Sequence, residues 1–389
     1  EDYEDWRDAG NPGWGWQDVL PCFKRMEDHS LGASEFHGAD GPLHVNASTE
    51  AIHPVSNEFI TACQEAGLPY NADFNGATQE GVGTYHITTK DGKRMSAARA
   101  YLWPIRNRNN LHIETNALAS RILFDGRRAF GVAYEKDGQI YSVRAQREVI
   151  LCAGAINSPQ LLQLSGIGPG GLLQSLGIEV QHELAGVGEN LRDHYAPRFT
   201  VRAKNAETIN ERARGLNIVG EVIKYFAGAK SILNLSPSMV YGFWHSDAAA
   251  RSNDLQFIFT PASYKEGVHG LLDDHPGFTI ACWQHRPEST GWVRAHSADP
   301  FEKPLIQPNY LAHEEDRRVT VCAMRLARKL INTEAMKPYF DFEVSPGAEV
   351  ESDAELLEAA REYGNTTFHV MGTSRMGPAT DPTAGVDDQ

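Results

Sequence analysis

The run Val149-Ile150-Leu151-Cys152-Ala153-Gly154-Ala155-Ile156-Asn157-Ser158-Pro159-Gln160-Leu161-Leu162-Gln163-Leu164-Ser165-Gly166-Ile167-Gly168 decides the reading of this chain. Its first four residues are apolar, which suits a parallel-sheet strand covered on both faces, with Cys152 as a small core residue. Gly154 permits a sharp turn or close approach to a ligand. Ser158 is placed to cap a helix, Pro159 is pre-set for a first helical turn, and Gly166 can end it. The expectation is a strand, a tight turn and a short helix. In α/β folds, a strand feeding a helix N-terminus is where nucleotide cofactors are held.

Working outward, the pattern alternates between the two periodicities. Helices are expected over residues 17–27, 54–66, 94–102 and 316–331, and from Ser352, whose spacing to Glu355 makes a capping box. The 316–331 helix is the one clear helix between 195 and 342, with Val319, Cys322, Ala323, Leu326 and Leu330 as its apolar stripe. Short strands are expected over 112–115, 119–124, 129–136, 140–145 and 148–152, with hairpin signals at Asp125-Gly126 and Asp137-Gly138. Strands at 255–259 and 278–283 suggest an antiparallel sheet.

Composition excludes several classes. The 389 residues are 41% hydrophobic, enough for a large core, and their net charge of −15 opposes binding to nucleic acid or an anionic membrane surface. No stretch reaches the about 18 apolar residues of a membrane span. Cys22, Cys63, Cys152, Cys282 and Cys322 are scattered without Cys-x-x-Cys spacing, so neither a disulfide framework nor a zinc site is indicated. A reducing, cytoplasmic setting is expected, with attachment to the inner face of a membrane as a variant. No histidine pair has metal-ligand spacing, and Gly-x-Ser-x-Gly is absent. Gly166-Ile167-Gly168-Pro169-Gly170-Gly171 satisfies Gly-x-Gly-x-x-Gly, yet it follows a helix rather than a strand and Pro169 removes an amide. It is rejected as a dinucleotide loop.

Gly154-Ala155, Ser158-Pro159, Leu161-Leu162 and Ser165-Gly166-Ile167-Gly168 together resemble a diagnostic pattern of the glucose-methanol-choline (GMC) oxidoreductases, flavoenzymes that use FAD to oxidise alcohols. Gly186-Val187-Gly188-Glu189-Asn190-Leu191-Arg192-Asp193-His194 and Phe368-His369-Val370-Met371-Gly372-Thr373-Ser374-Arg375-Met376-Gly377 are similar to further segments of that family. Gly10-Asn11-Pro12-Gly13-Trp14 and Ser297-Ala298-Asp299-Pro300 lean towards its choline-dehydrogenase-like branch. The resemblance implies an α/β fold in which an FAD-binding Rossmann-like domain, incomplete at both ends, carries an α+β substrate domain built on an antiparallel sheet. It divides the chain into a lid-adjacent extension (1–45), a first part of the substrate domain (46–103), the FAD domain (104–194), the main substrate domain (195–365) and a return to the FAD domain (366–389). It also implies an internal fragment: the pyrophosphate loop would precede Glu1, and a second catalytic His or Asn would follow Gln389.

Carried over residue by residue, the resemblance makes His369 the base that takes the hydroxyl proton of a primary alcohol while hydride moves to flavin N5. Imidazole suits the task because it accepts a proton near neutrality. Ala119 and Ala153 match adenine-side contacts of FAD or are filler in tight strands, and Phe368 covers the flavin edge or packs the wall. His44, His86, His194 and His285 have no spacing that distinguishes them. Trp244, Trp283, Trp292 and Tyr310 could form an aromatic box for a quaternary ammonium substrate. Two alternatives remain at this point: a hydroxynitrile lyase of the same fold, and a non-catalytic remnant without flavin. The electron acceptor and oligomeric state are left open.

Overall fold

The computed structural model describes residues 1–47, 52–234, 236–250, 252–265 and 270–387. Helices α1 (Asp2–Asp8) and α2 (Trp16–Met26) pack through aromatic rings, Tyr3 lying 5.8 Å from both Trp16 and Phe23. Strand β1 (Glu27–His29) runs parallel to β2 (Leu43–Val45). Helix α3 (Pro54–Glu65) takes Pro54 into its first turn, as expected for a residue with no amide to lose there, and leads to β3 (Gly81–Thr84). The helix expected over 94–102 shrinks to one wide turn, Ala98–Leu102. Lys93–Arg94 is drawn into a short hairpin with Thr89–Lys90 instead.

Strands β4 (Leu118–Asp125), β5 (Arg128–Lys136) and β6 (Gln139–Arg144) form the expected meander. Its second turn places Asp137 at φ 53° and Gly138 at φ 75°, the paired positive angles that a two-residue hairpin demands. Two expected strands do not form. Residues 112–115 and 148–152 lie outside every sheet among the described residues; Ile150 is 75% exposed and Cys152 is exposed rather than core. A parallel strand exists only through ladders to neighbours, and no described strand pairs with either segment.

Helix α4 (Gly154–Leu164) starts four residues before the expected cap, with Ala153 as N-cap and Gly154 at φ 77°. Pro159 therefore lies inside the helix, where it cannot donate to the carbonyl four residues back. That carbonyl, Ala155 O, accepts instead from Thr373 Oγ1 at 2.5 Å. At the other end, Ser165 Oγ donates to Leu161 O (2.6 Å) and accepts from Ile122 N (2.8 Å), tying the helix to β4.

The centre of the molecule is a six-stranded antiparallel sheet. Strands β7 (Arg198–Ala203), β8 (Val240–Trp244), β9 (Leu255–Thr260), β10 (Gly277–Gln284) and β11 (Phe340–Ser345) join β3 in the order β11-β7-β10-β9-β8-β3. Between β7 and β8 lies helix α5 (Gly215–Phe226), which the sequence reading does not anticipate. Helices α6 (Glu314–Ile331) and α7 (Asp353–Tyr363) follow, the latter with the expected Ser352–Glu355 capping box.

Alternation gives the sheet two different faces. Leu255, Phe257 and Phe259 of β9 and Phe278, Ile280 and Cys282 of β10 turn to one side and pack with Phe59 of α3, Val319 and Leu330 of α6, and Leu356 of α7. Phe59 stacks on Phe259 with centroids 4.2 Å apart. The alternate residues, Ile258 and Thr260 paired with Ala281 and Thr279, face the other way.

The Thr373 link is testable. Thr373→Val should cost about 1–3 kcal/mol by leaving the Ala155 carbonyl unpaired, read from urea unfolding. In a Pro159→Ala background the new amide takes that carbonyl, so the same change should cost much less; equal costs in both backgrounds would refute the coupling.

Candidate active site

Two distant segments run antiparallel and are pinned along their length. Tyr195 pairs with Thr366 and Ala196 with Asn365. Arg192 and Met371 exchange backbone hydrogen bonds of 3.0 and 2.9 Å, and Thr367 N donates to His194 O at 3.0 Å. This places Asp193-His194 directly beside Phe368-His369. Asp193 is buried, and its two oxygens collect three donors. Oδ1 accepts the His369 amide at 2.9 Å, while Oδ2 accepts Tyr310 Oη and Thr366 Oγ1, each at 2.5 Å. Thr366 Oγ1 in turn accepts the Phe368 amide at 2.9 Å. Phe368 sits at φ 62°, a left-handed conformation costing a non-glycine residue about 1–3 kcal/mol. These bonds hold it there.

The imidazoles form a directed chain. His194 Nε2 lies 2.8 Å from His285 O, and since a carbonyl only accepts, Nε2 carries the hydrogen. Burial lowers the His194 pKa, so its ring is neutral and Nδ1 holds a lone pair. His369 Nδ1, 2.9 Å away, must donate to it. The Nε2 of a neutral His369 is then left unprotonated. Burial first, and then the neighbouring His194, Arg286 and His369 side chains, which disfavour a further positive charge, depress His285 to about 3. Tyr310 is raised by burial and by its bond to Asp193, so its hydroxyl keeps its proton.

His369 and Phe368 both line a recess of about 290 Å³ whose floor is the second face of the sheet: Ile258, Thr260, Thr279, Ala281 and Trp283. Tyr85 and Tyr264 wall it. Phe368 is 66% exposed, which rules out core packing. The Nε1 of Trp283 is buried without a hydrogen-bond partner among the described residues. The aromatic box does not assemble. Only Trp283 of its four members reaches the recess: Trp244 stacks on His245, Trp292 lies under the Arg294 guanidinium at 4.3 Å, and Tyr310 serves Asp193.

Ala119 and Ala153 lie apart from the recess, both exposed. They belong to one unit, Ala119 in β4 and Ala153 at the N-cap of α4, and Ser165 joins the two elements. The start of α4 fits an anionic cofactor. No side chain caps it, and a Cβ at Gly154 would meet nothing within 4 Å, so space lies open beside Gly154 at the positive end of the helix dipole. Around His369, Asp193 is not singled out by the sequence, His194 is named there without distinguishing spacing, and Tyr310 is named only for the aromatic box rather than as a partner of Asp193. Their one signal is the Asp193-His194 ending of the 186–194 run.

The chain belongs to the GMC oxidoreductase family: the family's amino-terminal model matches residues 1–196 and its carboxyl-terminal model residues 287–389. FAD is the cofactor of this class, which acts on CH–OH groups. The chain is 40% identical to the mitochondrial choline dehydrogenase of Homo sapiens over 393 aligned residues, covering 100% of this chain and 65% of that protein. It is 37% identical to an alcohol dehydrogenase [acceptor] of Pseudomonas putida, covering 100% and 70%. Among solved structures, pyridoxine 4-oxidase from Mesorbium loti superposes with a TM-score of 0.87 at 28% identity, over 99% of this chain and 72% of that one. No helix among the described residues is long and apolar enough to cross a membrane.

The depressed His285 gives a pH signature. Between about 3 and the ordinary 6.5, the unfolded chain holds the proton that the folded chain refuses, so stability falls as pH drops through this window. The slope should reach about 1.4 kcal/mol per pH unit for this group. Urea midpoints at pH 7.5, 6 and 5 should converge less steeply for His285→Phe; identical slopes would contradict the assignment.

Proposed function

We propose that the protein oxidises an uncharged primary alcohol to the aldehyde, with Nε2 of His369 accepting the hydroxyl proton. The observation that carries this is the chain from His285 O through His194 to His369, which makes Nδ1 of His369 the donor and leaves its Nε2 as the free ring nitrogen on a residue lining the recess. FAD, when bound, supplies the acceptor for the carbinol hydride. Ala119, Ala153, Phe368 and the first-turn amides of α4 are the groups that would hold it. Asp193 fixes the His369 backbone, and His194 fixes its ring.

The preference for an uncharged substrate rests on the recess lining. None of the described residues lining it is Asp or Glu, and the Arg198 guanidinium lies over the Tyr264 ring at 5.5 Å. Among these described residues a quaternary ammonium meets no carboxylate, and one of the aromatic walls already faces a cation. Ile258, Ala281 and Trp283 offer an apolar floor that suits an aliphatic or aromatic alcohol.

Stopped-flow reduction of the FAD-loaded protein tests both parts. His369→Ala should slow flavin bleaching by about 10²-fold or more, and near-normal bleaching would remove His369 as base. Against a panel of alcohols, choline should be reduced in kcat/KM by about tenfold or more relative to the best uncharged primary alcohol; choline as the best substrate would overturn the substrate class.

A further inference from the structure

A second cluster of imidazoles lies in the first 86 residues. β1 delivers His29, the loop before β2 delivers His37, and the chain leaving β3 delivers His86. One ring nitrogen from each lies within 4.8 Å of the other two. His29 and His37 are buried, and the His86 side chain is 9% exposed. His29 Nε2 and His86 Nδ1 are 3.1 Å apart. Asp73 completes the group: its Oδ2 is 2.8 Å from His37 Nε2 and its Oδ1 is 3.9 Å from His86 Nδ1.

These distances and their surroundings match what a small divalent cation requires. In a tetrahedral site with bonds of about 2.0–2.1 Å, donor atoms lie roughly 3.4 Å apart, and the observed separations bracket that value. The outward-facing nitrogens of His86 and His37 are held as those of metal-bound imidazoles are held. His86 Nε2 is 3.1 Å from Ala72 O, so it carries the hydrogen and Nδ1 points a lone pair at His29. His37 Nδ1 lies 3.0 Å from Glu27 Oε2, a carboxylate behind a histidine. His29 needs one adjustment, because the long 3.3 Å contact from Leu31 N to its Nδ1 must open as the ring turns its lone pair inward.

We propose that His29, His37, His86 and Asp73 bind one zinc-class divalent cation as a closed structural site. The ion takes the place of the hydrogens now shared between His29 and His86 and between His37 and Asp73. The carboxylates of Asp73 and Glu27 together balance its two charges. Four protein donors leave no open position for substrate, so the role is to staple residues 27–37 to residues 73–86. The next residue along from the third ligand, Tyr85, stacks on Tyr241 at 3.6 Å and walls the recess, so the staple also steadies the site described above.

The test is zinc itself. Protein stripped with chelator and dialysed against Zn²⁺ should retain about one ion per chain by elemental analysis, and its melting temperature should rise by several degrees on reloading. The zinc absorption edge should show outer-shell scattering from three imidazoles. His29→Asn/His86→Gln should lose the ion. Retention of zinc by the double variant, absence of zinc in the wild type, or a wild-type spectrum without imidazole scattering would each overturn the site, the last even if the variant does not fold.

Discussion

The active-site region depends on one buried carboxylate. An ionised group taken out of water persists only if hydrogen-bond donors replace the water it lost. Asp193 obtains its three donors from two distant places in the chain: the Tyr310 hydroxyl, and the Thr366 hydroxyl with the His369 amide. Because the carboxylate cannot be left bare, those three positions are obliged to meet. The left-handed Phe368 is a consequence of that demand, since the backbone must reverse locally for the amides of 368 and 369 to reach Thr366 and Asp193. The cost of the strained residue is small beside the cost of an unsatisfied buried charge.

That constraint operates above a rigid floor. The central sheet separates large from small side chains by simple alternation. Phe257, Phe259, Phe278 and Ile280 fill the side under the helices, while Thr260, Thr279 and Ala281 leave space on the other. A recess therefore opens where the inward set is large and the outward set is small, and it opens beside His369. Sites built on strands hold their geometry better than sites on loops, and here Trp283 belongs to β10.

Much of this architecture is legible in the sequence where local signals agree. Helix α6 carries its stripe at three and four spacing, α7 begins with a capping box, and β9 and β10 alternate cleanly. Helix α5 carries a stripe of its own at helical spacing, Leu216, Val219, Ile223 and Phe226, and its orientation is what the sequence hides. Leu216, Ile223 and Phe226 are 88%, 64% and 82% exposed, while Glu221 is buried against Arg212 and Lys224. Periodicity marks a helix but does not fix which of its faces turns inward. The apolar run 149–152 misleads for the opposite reason: hydrophobicity marks what a strand could bury, whereas the strand itself requires neighbours to pair with. His369 stands out through its surrounding motif and lies against the recess, whereas His194 does not stand out, since its hydrogen bond to His369 spans 175 residues. The three histidines near Asp73 come from one strand end and two separate loops and share no spacing at all.

The two segments that carry the family resemblance are also joined physically, and the join explains why both matter. Pro159 inside α4 leaves the Ala155 carbonyl without its helical partner, and the Thr373 hydroxyl supplies one. Thr373 O meanwhile accepts from Gly188 N at 2.8 Å, which links the same residue to the 186–194 run. Its neighbour Gly372, at φ 92°, passes so close to Asn190 O that a Cβ would come within 2.2 Å of it. The first turn of α4, the Asp193-His194 pair and the His369 segment thus move as one body. The distance between the first turn of α4 and the His369 segment is thereby set by hydrogen bonds and close packing. The proline, the threonine and the glycine together fix it.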